Sequence, residues 1–320
     1  MLFEKQILGM YRKMAFSRCD DTGLAYYYSS EDFDGLCKEE FAFQSSKGHT
    51  LRGFLYYYDN PIVNRIVVFD HGFGGGHRSY MKEIEMLCRR GLCVFAYDHT
   101  GCMLSEGEGA GGMAQSLRDL NDAFCFLKSQ ERFSSCTFSV MGHSWGGFSS
   151  ANIVALHPEI RHIVVLSGFL SVWRLVHSFF GGILSPYRRA VLALEAEYNE
   201  PFLSYDATET LRGTEARILL VYSDNDALCS RRLQFDPLVA ALSDRENVTL
   251  RLESGKGHNP NYTKDAVAAL AEYSRAVKKM HRKKNLTDEE KRAFVSSFDW
   301  DRITAQDADV WAAIYQTLEV

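Results

Sequence analysis

The sequence predicts an α/β fold, a mostly parallel sheet covered by helices on both faces, and three observations predict it. From Arg65 onward, short apolar runs alternate with longer segments whose apolar residues recur at helical spacing, the pattern of repeated strand–helix–strand units. Some of these runs end directly in glycine-rich turns, as at His71-Gly72-Phe73-Gly74-Gly75-Gly76. Between the strand-like run 137–141 and a helix with Ala151, Val154 and Ala155 on its inner face stands Gly142-His143-Ser144-Trp145-Gly146. This Gly-x-Ser-x-Gly turn is a nucleophile elbow: the serine occupies a strained strand-to-helix turn, and the glycines are small enough to let strand and helix meet.

At 320 residues and 46% hydrophobic composition the chain can bury a full core, and an α/β sheet of this length is commonly one domain. We therefore expect a single domain over 1–320 with an insertion. A net charge of -5 leaves no basic excess to neutralise phosphates, which argues against a nucleic-acid surface or a polyanionic substrate. Eight cysteines lie scattered without a Cys-x-x-Cys pair, which suits reduced thiols better than disulfides or zinc and implies a cytoplasmic location. The N-terminus carries Glu4 early and no sustained apolar region, so it lacks a signal-peptide pattern. No apolar stretch approaches the ~20 residues that span a bilayer, and no membrane insertion is expected.

In chain order, residues 1–38 carry the weakest signal and read as a segment packed around the sheet edge. Runs 41–46 and 51–58 flank Lys47-Gly48-His49-Thr50 and predict an antiparallel pair. Run 65–69 enters the glycine-rich loop, whose backbone N–H groups suit a carbonyl oxygen that gains negative charge during acyl transfer. In this layout the two donors are the residue after the nucleophile, Trp145, and one in that loop, Phe73. A phosphate-binding loop fits less well, because no Gly-Lys-Ser/Thr ending and no Gly-x-Gly-x-x-Gly with a downstream acid is present. A helix with Tyr80, Ile84, Leu87 and Cys88 on one face stops at Gly91, and strand 92–97 then delivers the segment from Asp98 to Gly107.

From His71 to Gly107 the chain resembles the α/β-hydrolase superfamily, in particular its monoglyceride-lipase-like and serine-aminopeptidase-like branch. The resemblance rests on a His-Gly loop, a helix, a strand and an Asp-x-x-Gly-x-x-x-Ser-x-Gly loop, here Asp98, Gly101, Ser105 and Gly107. Cys102 and Met103 depart from the Gly-His often found in members. Asp98 and Ser105 read as groups that structure the loop, and His71 and His99 as hydrogen-bonded structural histidines. The resemblance implies an α/β-hydrolase fold, and it places an inserted, partly helical cap over Ser144 at 169–216. That segment is rich in Leu170, Trp173, Leu175, Val176, Phe179, Phe180, Ile183, Leu184 and Tyr187. Each of these either packs within the cap or binds an acyl or aryl group.

After helix 116–130, the elbow and a strand at 163–166, strand 217–222 ends in Ser223-Asp224-Asn225-Asp226. A triad needs a buried carboxylate to orient the base, and two candidates stand here. The family pattern Gly-x-x-Asp implies Asp226, with Ser223 in the glycine slot; Asp224 is the alternative. Strand 248–252 leads to His258, which follows Gly255-Lys256-Gly257 at a loop tip. The order Ser144, Asp226, His258 is that of α/β-hydrolases. His281 lies in the basic run 278–284, which reads as a solvated helix end. In the extension 285–320, Thr287 and Glu290 form a capping-box pattern, and Trp311, Ile314, Tyr315 and Leu318 recur at helix spacing. This tail either docks on the body or makes a homo-oligomer contact.

The expected activity is that of a serine hydrolase without metal or cofactor, acting on a small-molecule acyl ester. An aminopeptidase or amidase would share the triad and need an acidic anchor for the substrate amine, with Glu195, Glu197 and Glu200 available. A binding protein on the same scaffold would not need the full set of groups. Dehalogenase or epoxide-hydrolase chemistry is disfavoured, because its elbow nucleophile is an aspartate.

Overall fold

The computed structural model describes residues 3–59, 61, 64–283 and 285–320, which leaves Lys284 of the basic run outside the described residues. Eight strands form one sheet in the order β1-β2-β4-β3-β5-β6-β7-β8. They are β1 (Cys37–Gln44), β2 (Thr50–Tyr57), β3 (Arg65–Asp70), β4 (Cys93–Tyr97), β5 (Thr137–His143), β6 (His162–Leu166), β7 (Arg217–Ser223) and β8 (Val248–Glu253). The pairs β1–β2 and β2–β4 are antiparallel, and every pair from β4–β3 to β7–β8 is parallel. β1 starts earlier than its hydrophobic run, because Cys37 to Glu40 continue the register opposite Tyr57 to Phe54. An edge strand tolerates the charges of Lys38, Glu39 and Glu40.

Helix α1 (Glu4–Ala15) precedes the sheet, and α2 (Met81–Cys88), α3 (Gln115–Ser129) and α4 (Trp145–Asn152) connect its parallel strands. Helices α5 (Val172–Phe179), α6 (Arg188–Asn199) and α7 (Ala207–Thr210) lie between β6 and β7, and α8 (Asp236–Leu242) joins β7 to β8. After β8 come α9 (Lys264–Met280), α10 (Asp288–Ser296), α11 (Trp300–Ile303) and α12 (Ala308–Leu318). No helix among the described residues is long and apolar enough to cross a membrane.

Strand residues point alternately to opposite faces, so each buried strand feeds two cores. Ile66, Val68, Ile163, Val165, Ile218 and Leu220 join α3, α4 and α8 on one face. Val67, Phe69, Val164, Leu166, Leu219 and Val221 meet α2 and α12 on the other. The tail therefore docks on the body through Val310, Trp311, Ile314 and Leu318, all buried. Trp311 is 1% exposed and its indole N–H donates to Gln306 Oε1 at 2.8 Å. Trp311→Ala should cost about 3–5 kcal/mol, the range for emptying a buried aromatic site. Chemical denaturation measures it, and a cost below about 1 kcal/mol would mean that α12 is not part of the core.

The N-terminal segment departs from the sheet-edge expectation. Helix α1 packs on α6, and the buried Tyr11 donates its hydroxyl to Glu195 Oε1 at 2.6 Å. Tyr11 and Ala15 join the core on one face of the sheet, and Phe33 and Leu36 join the core on the other, beside β2 and β4.

Candidate active site

The carboxyl ends of β3, β5, β7 and β8 converge on Ser144. The serine sits at φ 56°, ψ -108° between β5 and α4, a conformation that side chains other than glycine rarely adopt. Two things hold it there. Its N–H donates to Leu166 O of β6 at 2.9 Å. The chain on either side has no room for a Cβ: one on Gly146 would stand 2.0 Å from Asp70 O, and one on Gly142 would stand 2.2 Å from Gly146 O. The elbow glycines are thus required by close approach of backbone to backbone.

His258 reaches Ser144 from the loop after β8. Its Nε2 is 2.7 Å from Ser144 Oγ and its Nδ1 is 2.7 Å from Asp226 Oδ2. Asp226 Oδ1 accepts the N–H groups of Leu228 at 2.8 Å and Cys229 at 3.0 Å. Burial alone would raise this carboxyl, yet the hydrogen bond and charge of His258, with those two N–H groups, hold it below the ordinary range. Asp224 has another task. Its Oδ1 accepts Gly255 N–H at 2.9 Å, while Asn225 Oδ1 accepts Gly257 N–H at 2.8 Å and Ser223 Oγ accepts Lys256 N–H at 3.0 Å. The turn after β7 thus takes the backbone of the His258 loop with three side chains and the imidazole with the fourth.

His143, before the nucleophile, is a feature that the motif alone did not single out. Burial, and then the proximity of His258, pushes it down to about 3, so it is neutral. Its Nε2 lies 2.7 Å from the carbonyl oxygen of His258, which can only accept, so the ring proton is on Nε2. Nδ1 therefore accepts the Tyr80 hydroxyl at 2.8 Å, and Tyr80 Oη in turn accepts Gly72 N–H at 3.1 Å. This relay ties the His258 loop to the glycine-rich loop through the elbow. Gly72 is glycine because a Cβ there would lie 2.4 Å from Tyr80 Oη.

Phe73 and Trp145 meet edge to face at 5.0 Å. The Trp145 indole donates to Met113 O at 2.7 Å. As the first residue of α4, Trp145 has a backbone N–H without a partner in the helix, pointing out of its positive end. Beneath these loops lies a buried polar platform. His99 sets Nε2 at 2.6 Å from Asp70 Oδ1 and Nδ1 at 3.3 Å from Asp119 Oδ2. Burial would lower this imidazole, but the two carboxylates raise it to about 9, so it is an imidazolium. Asp70 also accepts the Tyr97 hydroxyl at 3.0 Å and that of Ser149. His71, pushed down to about 3 by burial, accepts His99 N–H at 3.0 Å. Asp98 accepts from His77, and Ser105 Oγ donates to Asp98 O at 2.5 Å, so both structure their loop.

These shifts fix how stability depends on pH. His71 and His143 bind fewer protons folded than unfolded between about 3 and the ordinary imidazole value of 6.5, so their contribution is lost as pH falls through that window. His99 binds more protons folded between 6.5 and about 9, so its contribution is complete below 6.5 and lost as pH rises to 9. Glu83, raised to about 7 by burial, also loses stability as pH rises from 4.5 to 7. Thermal melts across this range should peak slightly below neutrality and fall on the alkaline side by a few kcal/mol. A midpoint that is flat from pH 7 to 9.5 would contradict a charged His99.

A cavity of about 260 Å³ opens over Ser144 and His258. Its wall is formed by Met14 of α1, Phe73, Tyr80, Met113, Trp145, Phe169, Leu175 and Phe179 of α5, Leu228 and Cys229. Of the large apolar groups in 169–216, Phe169, Leu175 and Phe179 face the cavity. Leu170, Val176 and Phe180 are buried in the core, and Trp173 and Ile183 are exposed. Among the described residues that line it, none is acidic. Glu195 is buried away from it, accepting from Tyr11 Oη, Met113 N and Asn199 Nδ2. Asp226, Cys229 and His258 bring ligand-type atoms within 4.8 Å of one another. Burial and the Asp226 charge raise the Cys229 thiol well above its ordinary value.

Against known proteins, the family model described as Serine aminopeptidase, S33 matches residues 62–210. No curated protein matches the chain significantly. Solved structures share the fold at low identity. The Pyrococcus furiosus esterase Pf2001 has a TM-score of 0.55 at 14% identity, with 88% of this chain and 99% of that chain covered. An acetyl xylan esterase from Paenibacillus sp. R4 has a TM-score of 0.56 at 16% identity, covering 87% and 92%. Est1E from Butyrivibrio proteoclasticus, solved with ferulic acid, has a TM-score of 0.54 at 17% identity, covering 76% and 100%. With its eight-stranded, mostly parallel sheet, its serine elbow and the family match over its central part, the chain has the α/β-hydrolase fold.

Proposed function

We propose that this protein is a serine hydrolase of small-molecule carboxylic esters. The observation that carries the reading is the unbroken hydrogen-bonded chain Ser144–His258–Asp226 opening onto an apolar cavity. Ser144 Oγ attacks the ester carbonyl carbon while its proton passes to His258 Nε2, and Asp226 stabilises the imidazolium. The N–H groups of Phe73 and Trp145 receive the oxyanion. The C–O bond to the alcohol then breaks, with the His258 proton going to the leaving oxygen. Water, deprotonated by His258, attacks the acyl-serine, and the proton returns to Ser144 Oγ as the acid leaves.

In this reading 1–320 is one domain and 169–216 is its cap, of which Leu175 and Phe179 meet the acyl group. Met14 extends the cap with a residue from the N-terminal segment. The scattered cysteines support a cytoplasmic location. The name of the matching family raises aminopeptidase activity, but an amine anchor is not supported: Glu195 is committed to Tyr11 and Met113, and Glu197 stands 3.8 Å from Arg12. A cavity of about 260 Å³ is smaller than the ~300–1,000 Å³ of sites for drug-sized ligands, which favours a short acyl or single-ring aroyl group.

A panel of chromogenic esters from acetyl to decanoyl, with aminoacyl anilides, tests this. Acetyl to butyryl or benzoyl esters should turn over faster than decanoyl esters, with anilides inert. Anilide turnover without ester turnover would reverse the reading.

A further inference from the structure

Resting on that reading, we propose that the C-terminal extension acts in catalysis: Gln306 and Asp307 are positioning residues that clamp the His258 loop from outside. The loop is attached to the rest of the molecule on three sides. The turn after β7 and His143 hold it from within. Its outer side is held by 305–307. Thr263 N–H donates to Ala305 O at 3.0 Å, Asp307 N–H donates to Asn261 O at 2.8 Å, and Tyr262 and Gln306 form an antiparallel bridge.

Side chains reinforce this backbone clamp. Lys256, two residues before His258 and 3% exposed, places Nζ 2.7 Å from Asp307 Oδ2, 2.8 Å from Glu253 Oε2 and 3.3 Å from Pro260 O. An ammonium has three N–H groups, so Lys256 ties the two ends of the loop, 256 and 260, to the extension and is then saturated. On the other side Asn261 Nδ2 donates to Glu83 Oε1 at 3.1 Å and to Gln306 Oε1 at 2.8 Å, and Gln306 Nε2 donates to the same Glu83 oxygen at 3.1 Å. Asn261 is 2% and Glu83 1% exposed, so water does not replace a lost partner. Gln306 is fixed in turn by Trp311 Nε1 of α12. A base must sit within a fraction of an ångström of its proton, and loosening its support costs rate even when substrate binding is intact.

The test uses the full chain. Asp307 also caps α12, accepting Asp309 and Val310 N–H, and asparagine preserves a cap that alanine removes. Asp307→Asn, Asp307→Ala and Gln306→Leu are compared with wild type in kcat and KM on the best ester and in the rate of labelling by a fluorophosphonate. All three should lower kcat and the labelling rate about tenfold with KM within about twofold, and Asp307→Asn should do so while keeping a thermal midpoint above that of Asp307→Ala. Rates within about twofold of wild type in folded Asp307→Asn and Gln306→Leu would overturn the proposal. So would losses that merely follow the unfolded fraction measured by circular dichroism. A wild type that neither hydrolyses any ester nor takes the probe would overturn the hydrolase reading itself, and this proposal with it.

Discussion

Ser144→Ala should lower kcat for ester hydrolysis by about 10⁵-fold or more while leaving the protein folded. The magnitude follows from the geometry. Without Oγ there is no covalent route, and the remaining groups only bind and polarise the carbonyl, with His258 2.7 Å from an empty position. Alanine has the Cβ that serine has, so the strained φ of 56° and the fit of Gly142 and Gly146 against backbone are unchanged. The removed hydrogen bond is worth about 1 kcal/mol, so the thermal midpoint should move by only a few degrees. Residual turnover within about a hundredfold of wild type would show that another group carries the reaction.

The two aspartates after β7 should separate by orders of magnitude. Asp226→Asn should lower kcat about 10⁴-fold, because an amide facing His258 Nδ1 no longer accepts its proton and favours the wrong tautomer. The Leu228 and Cys229 N–H groups would keep an oxygen acceptor, so the loop should keep its shape. Asp224→Asn should change kcat by less than about tenfold, since the side chain still accepts Gly255 N–H and makes no contact with the imidazole. Steady-state kinetics on one ester at one pH suffice. Equal losses in the two variants would mean that the acid is shared or misassigned.

The parts of the site that were legible in the sequence are those with a local signature. Ser144 stands in a five-residue motif between an apolar run and a helical period, and both elements appear at those residues. Asp226 was separable from Asp224 only through the family spacing; nothing in the tetrapeptide itself says which carboxylate turns inward. His258 was findable because it alone follows the acid just beyond a strand. The eight strands were legible as apolar runs, with β1 underestimated because half of an edge strand faces water and carries charge.

What escaped depends on contacts between distant residues. Glu195 reads in the sequence as one acid among three on an amphipathic helix. It is in fact sealed by Tyr11, 184 residues away, and by the backbone of Met113. The same pairing puts α1 on α6 and brings Met14 to the cavity, which the weak pattern of the first 38 residues does not disclose. His143 is an unspecified position of the elbow motif, and its link to Tyr80 and the His258 carbonyl exists only once three loops are assembled. Gln306 and Asp307 read as the approach to a terminal helix; their meeting with Asn261 and Lys256 depends on α12 crossing back under the sheet.

The central claim is that Ser144 is an activated nucleophile, and the most direct measurement is mass spectrometry of the protein after a fluorophosphonate, with the adduct mapped by peptide. One adduct per chain on the peptide containing Ser144, absent in Ser144→Ala and slowed at least a hundredfold in a His258→Ala variant, is the result predicted here. No adduct on folded wild-type protein, or an adduct of equal rate without His258, would contradict it.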